Sequence, residues 1–136
     1  MAVATAATFV WLGMVLAISF LEAPLKFRAP GVTTVIGLGI GRLVFRALNL
    51  AEVVLAAVVV VAAVVAGVSV GTGVPVVALV VLLLVQLVLV RPRLNRRSDR
   101  VLAGETLPRS RLHLVHIGLE VVKVAALLVL GVLLLA

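Results

Sequence analysis

Apolar residues fall in four long runs, at 4–21, 48–68, 76–90 and 112–135, and polar residues collect in the intervals between them. These lengths are comparable with the roughly 20 residues that carry a helix across a ~30 Å hydrocarbon core. The pattern predicts an all-α integral membrane protein, a four-transmembrane-helix bundle. Residues 1–136 read as a single membrane domain, because the longest polar interval, 91–111, is too short to bury a core of its own. The first run lacks a basic leader and continues into Glu22, Pro24, Lys26 and Arg28, so it reads as a spanning helix rather than a signal peptide. Pro24 and Pro30 are expected to break the chain after it. A helical approach from residue 32, divided from its membrane part at about Arg46, leads into the second span. Val70-Gly-Thr-Gly-Val-Pro75 reads as an uncharged turn, Arg91 as the exit from the third span, and Ser110 as the N-cap of the fourth.

Two of the runs carry polar stripes. His113, His116, Glu120 and Lys123 are spaced by three, four and three, which places them within roughly 80° of one helix face. Arg42, Arg46, Asn49 and Glu52 form a similar stripe on the second helix. Ionisable side chains are costly in lipid, so both stripes are expected to face protein or water. Counted from the ends near the basic intervals, Gln86 lies about 6 to 8 Å deep, Glu52 roughly 9 Å and Glu120 roughly 12 Å. Polar residues of three helices should therefore meet in one half of the bundle, with Glu22 and Lys26 able to close the group. The other half has almost no polar side chain, so no open water path leads out of it.

Composition agrees with the membrane reading: 65% of residues are hydrophobic and the mean hydropathy is +1.41, against about half apolar in soluble domains. There is no cysteine, which excludes disulfides, thiolate metal sites and thiol redox chemistry. The net charge of +7 is not a nucleic-acid signal, since no aromatic residues are interleaved with the basic ones as base stacking requires. Its Lys and Arg residues crowd the intervals after the first and third spans, while the interval after the second span and both termini have none. These two basic loops should be cytoplasmic and both termini outside, in a cell's inner (plasma) membrane.

The expected function follows from the stripes. Ionisable residues inside a bilayer are candidates for solute or proton handling. The leading expectation is a protein that binds, and in the fuller form transports, a small solute or ion in a polar pocket open to the cytoplasm. Its candidate residues are His113, His116, Glu120, Lys123, Glu52, Asn49, Gln86, Arg42 and Arg46. His113-x-x-His116-x-x-x-Glu120 also has a spacing that presents metal ligands, so a metal- or haem-binding membrane protein is the alternative; without it no cofactor is expected. A third reading is architectural: ion pairs of this kind fix which helices pack, as in a structural subunit of a larger complex. Gly37 and Gly41 have the spacing for close helix approach, within the bundle or in a homodimer. Besides the bilayer, the expected partner is a second copy or a larger membrane assembly, and no nucleic acid. Neither Gly-x-Ser-x-Gly nor a P-loop is present, and no residue is assigned a catalytic role.

Phe20-Leu-Glu-Ala-Pro-Leu-Lys-Phe27, Gly41-Arg-Leu-Val-Phe45, Arg91-Pro-Arg-Leu94 and Arg111-Leu-His113 together form a recognisable arrangement. It resembles the small four-span membrane proteins of the uncharacterised family that includes the transmembrane protein associated with platinum-drug resistance. A looser likeness links it to copper-resistance membrane domains. The resemblance implies the four-span topology rather than an activity, and it does not extend to His116, Glu120 and Lys123.

Overall fold

The computed structural model describes residues 1–108 and 111–136. It contains four helices long and apolar enough to cross a membrane: α1 (Ala2–Arg28), α2 (Thr34–Ala66), α3 (Val70–Leu102) and α4 (Arg111–Leu135). Helix α1 packs on α2 and α4, and α3 packs on the same two, so the four close into a ring. Inside the ring Trp11, Leu12, Val15, Val59, Leu79, Leu83, Leu127 and Leu130 form a dense apolar core. Outside it Val54, Val64, Val77, Leu114 and Val132 are exposed, as a surface solvated by acyl chains requires.

Local chemistry sets the helix ends. Thr33, in extended conformation, accepts a hydrogen bond from the Ile36 backbone N–H and caps α2. At its other end Gly67 adopts φ 65°, the left-handed conformation that returns its N–H to the Ala63 and Val64 carbonyls. The turn to α3 is therefore only three residues long. The Val70-to-Pro75 stretch, expected as a turn, is instead the start of α3. Gly and Thr are tolerated in membrane helices, and Pro75 forfeits only the bond to Gly71 without leaving helical φ.

Two other expected breaks are absent for a common reason. Helix α1 runs through Pro24 to Arg28, and α3 runs through Arg91 and Pro92 to Leu102. In each case a π-helical stretch comes first, Leu16–Glu22 in α1 and Gln86–Val90 in α3. There the backbone N–H of Ala23 bonds to the Ile18 carbonyl and that of Arg91 to the Gln86 carbonyl, five residues back. A proline ring collides with the carbonyl four residues before it, here Phe20 and Val88; both lie in the widened turns, which move the obstruction aside. Nor is there a break at Arg46: the approach from residue 32 is an extension of the second helix.

Helices α2 and α3 have 33 residues each, about 50 Å, well beyond a ~30 Å hydrocarbon core. The excess of both lies at the same end, as the first turns of α2 and the basic last turns of α3. Arg42 of α2 and Asp99 of α3 form an ion pair there. Ser110, expected to cap α4, falls outside the described residues.

Candidate functional site

Lys123 is wholly buried and lies midway between two carboxylates. Its Nζ donates to Glu52 Oε2 at 2.7 Å and to Glu120 Oε1 at 2.7 Å. Trp11 Nε1 donates to the same Glu52 oxygen at 2.8 Å. Gln86 Nε2 donates to Glu120 Oε1 at 2.6 Å, and Ser19 Oγ to Glu120 Oε2 at 2.6 Å. Each helix contributes: Trp11 and Ser19 from α1, Glu52 from α2, Gln86 from α3, and Glu120 and Lys123 from α4. In a hydrocarbon surround these groups have no water to turn to, so the bonds among them fix the relative register of all four helices.

Above this cluster, toward the basic end, lies a cavity of about 430 Å³. All four helices wall it. Its polar lining consists of Lys26, Arg42, Arg91, Ser98, His113 and His116 around the mouth and sides, with Ser19 and Glu120 at the floor. Phe20, Phe27, Phe45 and Ile117 supply apolar wall. Phe45 is the organising ring: the Arg91 guanidinium lies 4.7 Å from its centroid, Lys26 Nζ 5.9 Å, and the His116 ring meets it edge-on at 5.5 Å. Such cation–ring contacts hold positive groups against a desolvated wall without consuming their hydrogen-bond donors. Lys26 also stands 3.7 Å from Glu22.

The expected single pocket is thus two things. Glu120, His113, His116 and Arg42 do line the cavity. Lys123, Glu52 and Gln86 lie in the cluster beneath it and do not. Asn49 is half-buried, and neither it nor Arg46, which is exposed, is part of the wall. The physical reason is angular: at 100° per residue Arg46 lies roughly 120° around α2 from Glu52, too wide a stripe for one inward face. His113 lines the cavity but is itself exposed. For a metal the set is unfavourable, because Glu120 already accepts from Lys123, Gln86 and Ser19. Among the described residues no group of three or more His, Asp or Glu is arranged to hold a metal ion.

Trp11, Ser19, Arg91 and Phe45 belong to the site although sequence reasoning gave them no role. Trp11 continues a buried stripe through Ala4, Ala7, Thr8 and Val15, a 3–4 spacing that was the available signal. Gly37 and Gly41 face the end of α1, where a Cβ on Gly37 would collide with the Phe27 ring and one on Gly41 would come within 2.9 Å of Lys26 Nζ. Their closeness thus serves packing within this chain.

No family model, curated protein or solved structure matches the chain.

Proposed function

We propose that this is a multi-pass inner-membrane protein that binds a small solute in the cavity between the basic ends of its four helices. The observation that carries the reading is a 430 Å³ space walled by every helix and floored by Glu120, the residue it shares with the buried cluster. Ligand sites are usually such concave, mostly apolar spaces with a few convergent polar groups. The positive-inside rule puts the mouth, with Lys26, Arg42 and Arg91, on the cytoplasmic face. Toward the other side, the apolar core around Trp11, Leu83 and Leu127 fills the bundle. Transport by this protein would thus need a second conformation, whereas binding needs only the one described. The resemblance to the four-span family named above supports the topology and leaves the activity to the cavity.

The architectural reading has its own observation, the mutual satisfaction of the cluster's polar groups. The two separate at the cavity wall. Ala23 lines the cavity, and Ala23→Trp fills part of it while leaving every residue of the cluster in place. The test is thermal unfolding of the purified protein in detergent against a panel of organic acids, amines and organic phosphates. A solute present at 100 times its Kd stabilises by about 2.7 kcal/mol, a shift of a few degrees. At least one solute is expected to raise the Tm of the wild type and to leave a well-folded Ala23→Trp unchanged. A flat response across the panel would leave only the architectural role.

A further inference from the structure

Arg91 and His116 are among the polar groups of the cavity wall that have no hydrogen bond or ion pair among the described residues. Arg42 has Asp99 and Lys26 has Glu22, but Arg91 forms no ion pair there, and its guanidinium faces the Phe45 ring. His116 Nε2 and Glu22 Oε2 are closed off from solvent and have no hydrogen-bond partner, and the latter stands 3.7 Å from Lys26 Nζ. Arg91 and His116 line the cavity beside Lys26. The one acid on that wall, Glu120, is engaged from below by Lys123 and Gln86 and from the side by Ser19. A guanidinium, an imidazole and an ammonium converge here around a single ring, and of the three only the Lys26 ammonium has a carboxylate beside it. A carboxylate has two oxygens for three such groups; a phosphate has more oxygens, and its geometry suits the guanidinium fork. The opposite need is met close by, since Phe20, Phe27 and Ile117 line the same cavity and are exposed. An apolar tail lying along them would continue into the acyl layer.

Resting on the solute-binding reading above, we infer that the cavity takes a phosphate-headed ligand, its head on Arg91 and Lys26 beside the His116 ring and any tail along Phe20, Phe27 and Ile117. Two sources present this chemistry, a membrane lipid with an exposed phosphate and a water-soluble organic phosphate.

The test measures binding to the full-length protein in detergent by titration with four probes: short-chain phosphatidic acid, the matching phosphatidylcholine, glycerol phosphate and hexanoate. Phosphatidic acid is expected to bind, and Arg91→Gln to weaken it by about ten- to a hundredfold, the usual worth of a charge-assisted bond, with Arg91→Lys weakening it less because the ammonium keeps the charge but not the fork. If Arg91→Gln does not fold, Lys26→Gln carries the same comparison. Phosphatidic acid binding well above glycerol phosphate assigns the lipid source, and equal binding assigns the soluble one; both uphold the phosphate site. Equal binding of phosphatidylcholine or hexanoate, or indifference to both substitutions, overturns it. If the phosphates fail while another solute still binds in an Ala23→Trp-sensitive way, the ligand class is wrong and the cavity reading stands; if nothing binds, both fall.

Discussion

Lys123 is held by two carboxylates at equal distance, so its loss leaves two acids facing each other, while the loss of Glu52 leaves it a single partner. Breaking a buried pair from one side costs on the order of 3–5 kcal/mol in soluble proteins, and less in membranes, where polar groups find other partners. Glu52→Gln and Lys123→Met are each expected to lower the Tm, and the double substitution to recover part of the loss. A double mutant damaged by the sum of the two singles would mean that the residues are uncoupled despite their contact. The charged members of this cluster were legible in the sequence because a Glu or Lys inside an apolar run has to be explained by a partner. Trp11 and Ser19 were not, since an indole or a hydroxyl in such a run is inconspicuous until the acceptor facing it is known. Arg91 was hidden differently: it read as the exit from the third span, and only the continuation of α3 turns it into a wall of the cavity.

At the scale of elements, the apolar runs located the four helices, and proline misled about their ends. Proline acts on a hydrogen bond four residues back, so its effect depends on whether the preceding turn can widen, a property of the backbone rather than of the residue. The length of α2 and α3 past the hydrocarbon core is what builds the cavity, because the overhanging turns carry Phe45, Arg42 and Arg91. Close helix approach is decided equally locally. A Cβ on Gly131 of α4 would come within 2.7 Å of the tip of the Phe9 ring on α1, so Gly131→Ala forces that ring to move. It is expected to lower the Tm by a few degrees, corresponding to roughly 1–3 kcal/mol of overpacking. Phe9→Leu in the same chain should recover most of it; no recovery would place the strain elsewhere than between α1 and α4.

For the molecule as a whole, membrane orientation is the quantity with the widest consequences, since it decides which compartment the cavity meets. The chain has no cysteine of its own, so single cysteines report without background. Val70→Cys, at the exposed start of α3, and Thr106→Cys, exposed after α3, should be labelled by an impermeant maleimide from opposite sides, with Thr106→Cys reacting only from the cytoplasm. Labelling of both from one side would refute the four-span count. The sequence by itself determined the solvent of this protein, the number of its helices and the half of the bundle in which polar residues gather. Those properties follow from transfer free energies summed along a run, and each residue contributes to them whatever its neighbours. The tertiary structure alone decided that Lys123, Glu52 and Glu120 form a closed cluster while Arg91, His116 and Lys26 border open space. That division depends on the rotation of each helix about its axis and on the widened turns before Pro24 and Pro92, which shift the register of the residues around them. Such rotations are set by contacts between helices, and a one-dimensional pattern holds no term for them.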